Sequence, residues 1–482
     1  MIISGKNLFN LGGQMDNSNQ ESNSVLKEML GNLSDHLEDY HECFRTETSD
    51  GHELSKSYIT GLINTESGKR NIERINEEVE ISGDSYQRVQ QFITDSPWSS
   101  EKVIGQVAQD TSNLYTDQPD YCYNDVGYII DESAHLKKGN SSVGVSRQYA
   151  GVAGKVDNCQ VGVYASLAFK SHSSLINCRL YLPETWTNDP DRCEKAGIPP
   201  EARFFKTKLA LALDMIKADM AAGVEFGWIG GDSVYGHGQE LSNAIENMGL
   251  TFLFDVHCNQ MIYKVKPNIS VPEKDQDSGR KPGKLRADSD PITVMQYASD
   301  LTKFEWKNIT VRNGTKGALV LSIHVRTVWV WDGESDCAKE RVLVISQNPS
   351  DNNKIKYSLS NLDRATTPIE RIAYMQAQRY WVERAFQEAK SELGMSDYQV
   401  RKWTSWHHHM ALVMLSLFFM VKERIKHKTE YPLLSCRDVR LMIIALLTKD
   451  ESLIEKRILQ MKFRHEQRRK DIERRYGKAQ SG

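Results

Sequence analysis

The chain has 482 residues, of which 39% are apolar, enough for two or three globular domains. Its 61 basic and 64 acidic residues give a formal net charge of −3, and its eight cysteines lack the spacing of a zinc module or a disulfide framework. The longest apolar run, Ala411 to Val421, is roughly half the ~20 residues of a bilayer span, and no basic-then-apolar leader opens the chain. We therefore expect neither export nor membrane insertion.

The N-terminal part is predicted to be helical and acidic. Residues 1–23 lack periodicity and are predicted to be disordered, whereas residues 24–120 are predicted to form a helical domain, because Leu26, Met29, Leu33 and Leu37 recur at helical spacing. This domain is a candidate DNA-binding region. Its candidate phosphate contacts, for which ordinary surface charge is the favoured alternative, are Lys69, Arg70, Arg74 and Arg88.

Residues 121–258 carry the pattern of a mixed α/β sheet. The run from Val126 to Asp131 is a short apolar strand that ends in a carboxylate, and Phe226 to Asp232 repeats this device. Strands are also predicted at Cys159–Phe169, Ser174–Leu182 and Thr251–Val256, and a long amphipathic helix at Glu201–Ala222. The order strand, strand, strand, helix, strand indicates an α/β fold.

A β-rich insertion is predicted at residues 259–364. Alternating runs at Ile309–Arg312, Ala318–Val330 and Val342–Gln347 favour strands joined by Asn-Gly and Asp-Gly turns. Residues 365–400 return to helix, predicted from Glu370 to Leu393.

The last part, residues 401–482, is predicted to be helical and basic. It holds 19 Lys/Arg against 9 Asp/Glu, whereas residues 1–60 hold 4 against 10. Such a lobe suits a polyanion, because the release of counterions depends on local charge. A solvated helix with charge pairs four residues apart explains the same composition.

The candidate chemistry rests on three acids. Asp131 and Asp232, if their strands are neighbours, offer hard oxygen ligands for Mg²⁺. On the helix from Glu370, Arg379, Glu383 and Lys390 share one face, with Lys390 ~10 Å beyond Glu383 at ~1.5 Å per residue. The alternatives are turn or cap roles for the aspartates, and a surface pair of Arg379 with Glu383. Competing acids are Glu132, Asp255, Glu388 and Glu392.

Three blocks of sequence resemble those of bacterial insertion-sequence DDE transposases. The first runs from Ile129 to Val163 around Asp131, and the second is Gly231-Asp232-Ser233-Val234-Tyr235-Gly236, with Val234 where the family usually has Gly. The third, from Arg379 to Lys390, resembles the Tyr-Arg-Glu-Lys signature. Gln376 stands at the position of the signature tyrosine, and Tyr374 lies nearby but out of register.

The resemblance implies a ribonuclease-H-like core with the β-rich insertion between the second Asp and the Glu. It implies Asp131, Asp232 and Glu383 as catalytic ligands of two Mg²⁺ ions, with Mn²⁺ as a substitute. Arg379 and Lys390 would contact the DNA backbone. Lys137 and Lys138 of the first block are also assigned to DNA binding.

Two tryptophans of the insertion are candidates for stacking on a flipped base, Trp329 and Trp331. Packing on a sheet face, where they alternate with Val328 and Val330, is the favoured alternative. The tract His407-His408-His409 receives no role, since consecutive helical residues point in different directions and cannot share one ion.

The function predicted from these features is metal-dependent cleavage at transposon ends and strand transfer into target DNA. The expected partners are double-stranded DNA with terminal inverted repeats, target DNA and a second copy of the chain, in a cytoplasmic, nucleoid-associated setting. The alternatives are a catalytically silent DNA-binding regulator, against which the three intact acids argue, and a DNA nuclease without strand transfer.

Overall fold

A computed structural model describes residues 27–78, 86–272, 283–314, 317–349, 351–447 and 451–479. The segment predicted to be disordered, residues 1–23, lies outside the described residues. Among the described residues, none of the helices has the length and apolarity that crossing a bilayer requires.

The α-helices, numbered in chain order, are α1 Met29–Glu38, α2 His41–Phe44, α3 His52–Asn64, α4 Ile72–Glu78, α5 Tyr86–Thr94, α6 Ser100–Thr116, α7 Glu184–Thr187, α8 Pro190–Lys195, α9 Lys208–Ala221, α10 Glu240–Asn247, α11 Val294–Ser299, α12 Ile369–Gln378, α13 Tyr380–Leu393, α14 Trp403–Lys426, α15 Cys436–Leu447 and α16 Glu451–Ala479. The strands are β1 Val126–Leu136, β2 Ser146–Ala150, β3 Lys155–Phe169, β4 His172–Leu180, β5 Trp228–Gly231, β6 Phe252–Asp255, β7 Met261–Ile262, β8 Ile269–Ser270, β9 Arg286–Ala287, β10 Ile292–Thr293, β11 Lys307–Gly314, β12 Gly317–Val330, β13 Lys339–Asn348 and β14 Asp351–Ser360.

One mixed sheet of ten strands organises the molecule. Its order is β11–β12–β13–β14–β6–β5–β1–β3–β2, with β4 paired to β3. β1 is antiparallel to β3 but parallel to β5, and β5 is parallel to β6. The predicted α/β sheet is therefore present, and the β-rich insertion extends this sheet through the pairing of β14 with β6.

The predicted elements are present with shifted boundaries. The predicted helix Glu201–Ala222 begins only at Lys208, because the hydroxyl of Thr207 accepts from the amide of Ala210 and caps the helix there. The predicted helix Glu370–Leu393 consists of two helices, α12 and α13, that meet at Arg379.

The N-terminal and C-terminal helices share one hydrophobic core. Met29 of α1, Phe92 of α5, Trp406 of α14 and Ile458 of α16 belong to the same buried cluster. Helix α14 is largely buried, and Asn32 donates to the carboxylate of Glu423 at 3.1 Å. The region predicted as a basic tail therefore begins with a core helix.

Candidate active site at the ends of three parallel strands

Asp131 and Asp232 lie side by side at one region of the sheet. In the parallel pairing of β1 with β5, Ile130 is opposite Gly231, so the residue that follows each of them is an aspartate. The strand predicted to end at Asp131 continues to Leu136, so Asp131 lies within β1 at the level where β5 ends. Parallel pairing is why two strands distant in sequence bring their acids to the same place. This adjacency meets the condition that the sequence analysis set for a shared metal site, namely that the two strands are neighbours.

The electrostatics of this pair are unfavourable for two free carboxylates. Burial, together with the nearby charge of Asp232, raises the pKa of Asp131 to about 7, although the guanidinium of Arg379 opposes this effect. Burial and the charge of Glu132 also raise the pKa of Asp232. Like charges collected in a buried place are stabilised by a cation, so this site favours a positively charged ligand.

The loop after β5 fixes the direction of Asp232. Its side chain accepts from the amide of Val234 at 2.9 Å, and the amides of Tyr235 and Gly236 both donate to its carbonyl oxygen at 3.1 Å. A Cβ at Gly236 would lie 2.1 Å from the carbonyl oxygen of Asp255, which requires glycine there. Val234 has no positive φ, so the departure from the family's glycine leaves this turn intact.

Glu383, on helix α13, is connected to the aspartates through Arg379. Arg379, at the junction of α12 and α13, pairs with Glu383 at 2.9 Å, with Asp255 at 3.0 Å and with Asp131 at 3.6 Å. Burial disfavours its charge, but Asp255 and Glu383 outweigh burial and raise the pKa of Arg379. One guanidinium thus links the glutamate to the strand-end acids, and the Glu383 side chain remains 52% exposed.

Lys390 lies two turns further along α13. Burial lowers the pKa of its ammonium, while the charge of Asp131 acts in the opposite direction. Lys390 is thus near enough to Asp131 for the two charges to interact.

Three competing acids have other partners. Glu132 pairs with Lys208 at 2.7 Å and accepts from the hydroxyl of Tyr235 at 3.2 Å. Glu388 is buried against Arg384, Arg424 and the Cys436 thiol, and Glu392 pairs with Arg440. Since Glu388 and Glu392 are engaged in structural ion pairs, Glu383 is the acid of α13 that shares Arg379 with Asp131.

Two of the candidate phosphate contacts are turned inward. Arg70 is fully buried and donates to the carbonyl oxygens of Leu62, Ser391 and Glu392, so it holds the N-terminal helices to α13 and cannot reach DNA. Lys137 donates to the carbonyl oxygen of Tyr398 at 2.7 Å and lies 3.3 Å from the centre of that ring, which takes up its ammonium internally. Lys138, Lys69, Arg74 and Arg88 are not buried.

Trp329, in β12, and Trp331, directly after it, have different surroundings. Trp329 is half-buried, and its backbone pairs with Tyr263. Trp331 lines a cavity of about 240 Å³ together with Gly236, His237 and Gln239 of the loop that follows Asp232. Trp331 therefore lies beside the loop that follows Asp232, but Asp131, Asp232 and Glu383 are not among the residues that line this cavity.

Sequence reasoning left Asp255 as a competing acid only and did not identify Ser358. Asp255 ends β6, and in the pairing of β5 with β6 Gly231 is opposite Phe254, so Asp255 lies beside Asp232. The predicted strand Thr251–Val256 carried this signal, because it too contains an acid near its carboxyl end. The partner strand, β14, could not be inferred from local pattern.

A separate group of candidate ligands occurs in the N-terminal helices. Atoms of Glu38, His41 and His52 lie within 4.8 Å of one another among the described residues. Lys56 is 3.0 Å from Glu38, and Asp50 is 2.7 Å from His41, so charges of both signs are already paired there.

Two aspartates lie side by side on neighbouring parallel strands, next to a helix with a glutamate and two cations. This arrangement is suited to phosphoryl transfer on a polyanion. The chain belongs to the DDE superfamily endonuclease family, whose family model matches residues 39–318, more than half of the chain. The resemblance stated above is confirmed at this level. The match includes Asp131 and Asp232, whereas Glu383 lies beyond it.

The chain is also similar to the probable transposase for insertion sequence element IS701 of Microchaete diplosiphon. The two are 26% identical over 180 residues, which is 37% of this chain and 43% of that relative. The chain thus spans less than half the length of the relative that it matches.

Proposed function

We propose that this protein is a DNA transposase that cleaves DNA at transposon ends and joins the freed ends to target DNA, with Asp131, Asp232 and Glu383 as ligands of two divalent metal ions. The observation that carries the proposal is the adjacency of Asp131 and Asp232 on parallel strands, where their mutual repulsion and burial call for a cation.

The residues present fit Mg²⁺ or Mn²⁺. All three candidate ligands are carboxylates, the hard oxygen donors that these ions prefer, and Arg379 already supplies positive charge to two of them. When bound, a pair of such ions lowers the pKa of an attacking water or hydroxyl and stabilises the leaving oxygen of a phosphodiester.

The chain's own residues have distinct tasks in this proposal. Arg379 and Lys390 neutralise the phosphate next to the cleaved bond and orient it over the strand ends. Trp331, beside the loop after Asp232, provides the aromatic face for an unstacked base, and Trp329 packs in the sheet. Lys138 adds a contact to the DNA backbone.

The remaining parts of the proposal concern architecture and partners. The strand order β4–β3–β1–β5–β6, with only β3 antiparallel to its neighbours, supports the ribonuclease-H-like core that the resemblance implies. The proposed partners are double-stranded DNA with terminal inverted repeats, target DNA and a second copy of the chain that holds the other end. The proposed domains keep the boundaries given above, 24–120, 121–258, 259–364, 365–400 and 401–482.

The test is cleavage of DNA that spans the flanks of the gene, with Mg²⁺ or Mn²⁺. Wild type is expected to cut at defined ends, whereas Asp232→Ala and Glu383→Gln bind the same DNA without cutting. Glu370→Gln, an exposed acid in the first turn of α12, is the matched control and should cut as wild type does.

The other outcomes select the alternatives. Wild type that binds these ends but never cuts with either metal would indicate a DNA-binding regulator. Cutting without joining to a second DNA would indicate a nuclease that lacks strand transfer.

A further inference from the structure

A fourth carboxylate, that of Asp255, lies at the same strand ends and has partners unlike those of the other three. It follows Phe254 on β6, next to Asp232 on β5, and its own strand pairs on the other side with β14, where Ser358 lies opposite it. The hydroxyl of Ser358 donates to Oδ1 of Asp255 at 2.7 Å, and Nε of Arg379 lies 3.0 Å from Oδ2. Both oxygens are therefore engaged by neighbouring side chains.

The chain of contacts continues to the helix that carries Arg379. The amide nitrogen of Gln376 donates to Oγ of Ser358 at 2.8 Å, and both side chains are buried. Gln376 stands where the family signature has tyrosine. In this protein the position is used to hold Ser358, which in turn orients Asp255 toward Arg379.

Arg379 has three anionic partners, and they are not equivalent. Asp131 and Glu383 are proposed metal ligands, so their charge is shared with the metal whenever ions bind. Asp255 is the remaining carboxylate in contact with the guanidinium, and its oxygens point to Arg379 and Ser358. Asp255 is thus the partner that can retain Arg379 at the site when the other two are occupied.

We propose that Asp255 is a positioning residue that holds the guanidinium of Arg379 beside the carboxylates, with Ser358 and Gln376 as its support, so that Arg379 meets the DNA phosphate in a fixed orientation. This proposal rests on the proposed function, since it takes DNA as the ligand of Arg379. Asp255 acts through Arg379 and does not touch the reacting phosphate.

The direction in which DNA affinity changes when Asp255 loses its charge separates this role from simple electrostatics. DNA is a polyanion, so removing a carboxylate near its binding surface should strengthen binding if charge alone mattered. If Asp255 positions Arg379, removing its charge should weaken binding, because the guanidinium is no longer held for the phosphate.

The experiment measures affinity for duplex DNA from the gene's flanks by fluorescence anisotropy in Ca²⁺, across a series of salt concentrations. Asp255→Asn and Arg379→Gln are each expected to weaken binding about tenfold and to reduce the dependence on salt by roughly one phosphate contact. The double variant should bind as Arg379→Gln does. Ser358→Ala should weaken binding in the same direction by less, and it keeps the test valid if Asp255→Asn does not fold.

The matched control is Asp125→Asn, which removes a carboxylate paired with Arg371 of α12, another arginine of the same helical region. It should not weaken binding. The proposal would be overturned if Asp255→Asn bound DNA as tightly as wild type. It would also be overturned if this substitution weakened binding equally with and without Arg379.

Failure of the proposed function gives a different result. A protein that shows this coupling in binding but never cuts with Mg²⁺ or Mn²⁺ retains the role of Asp255 and loses the transposase assignment. A protein that cuts normally without the coupling loses only the role of Asp255.

Discussion

The carboxylates of Asp131 and Asp232, where β5 ends beside β1, and the histidines at the start of α14 are both withdrawn from solvent, but their neighbours are opposite in kind. Asp131 lies beside Asp232, a like charge, and its pKa rises to about 7 through burial and this repulsion. His408 instead stacks on Trp98 at 3.7 Å, and its ring nitrogens lie 3.0 and 2.9 Å from the carbonyl oxygens of Ile93 and Trp98.

The same contrast extends to the neighbours of each group. His409 meets the hydroxyl of Tyr58 at 2.9 Å and the carbonyl oxygen of Gly394 at 3.2 Å, so the tract joins α3 and α5 to the C-terminal helices. Polar groups surrounded by complementary partners stabilise a fold, whereas like charges kept together cost stability and indicate a place prepared for a ligand. Burial alone therefore does not distinguish a functional group from a structural one.

The largest effect is expected from Asp131→Asn. It should reduce metal-dependent cleavage by at least about 10³-fold, since the three proposed ligands would act as a unit. The free energy of unfolding in EDTA should not fall, because the substitution removes the repulsion with Asp232. Cleavage rates and urea denaturation measure the two quantities. A loss of stability would show that Asp131 stabilises the fold as His408 does, and it would contradict the contrast between the two groups.

The reverse pattern is expected from His408→Ala. Truncation of this buried ring removes its stacking on Trp98 and its polar contacts, so the free energy of unfolding should fall by about 4 kcal/mol. Cleavage per folded molecule, measured at low temperature, should remain as in wild type. His257→Ala, at an exposed histidine, is the control and should change neither quantity. A selective loss of cleavage would assign the tract a role in chemistry.

The histidines should also make the protein sensitive to acid. Burial lowers the pKa of His409 to about 3, so the folded state disfavours its protonation, and its contribution to stability is complete above the ordinary pKa of 6.5 and is lost as pH falls below that value. Between pH 5.5 and 4.5 this histidine should lower the free energy of unfolding with a slope that approaches about 1.4 kcal/mol per pH unit. His409→Gln should flatten that part of the stability curve by this slope, and an unchanged slope would contradict the prediction.

A smaller pH dependence of stability, in the opposite direction, is expected from Asp219. This buried acid has complementary partners. Burial raises its pKa to about 6, although the Tyr128 hydroxyl and the Asn177 amide donate to it at 2.6 and 2.8 Å. Its contribution to stability is complete below pH 3.8 and is lost as pH rises through 6. The free energy of unfolding of Asp219→Asn, relative to that of wild type, should therefore rise by about 2 kcal/mol between pH 4 and 8. Denaturation at each pH measures this difference. An equal pH dependence in both proteins would show that Asp219 is not the group responsible.

Much of the site was predictable because it follows from local pattern. Apolar runs ending at Asp131 and Asp232 indicate buried strands, and parallel strands bring such ends together. Helical spacing placed Arg379, Glu383 and Lys390 on one face of a helix. These inferences need only the periodicity of strands and helices.

The rest depends on contacts between segments far apart in sequence. Arg70 was a plausible phosphate contact by charge, but its guanidinium is satisfied by carbonyl oxygens some 320 residues away. The pairing of Asp255 with Ser358 depends on the insertion joining the core sheet through β14, which alternation of residues within β14 does not reveal. The break between α12 and α13 lies inside a pattern that is helical throughout.

The shared core of the N-terminal and C-terminal helices has a consequence for synthesis of the chain. Asn32 meets Glu423, 391 residues later, so at ribosomal rates the first helices wait roughly 20–80 s for their partners. During that time the apolar faces that later pack on α14 have no partner, and they are available to chaperones and to aggregation. We expect a nascent chain stopped before residue 403 to be degraded, so that the candidate active site is held in a folded protein only when translation is nearly finished.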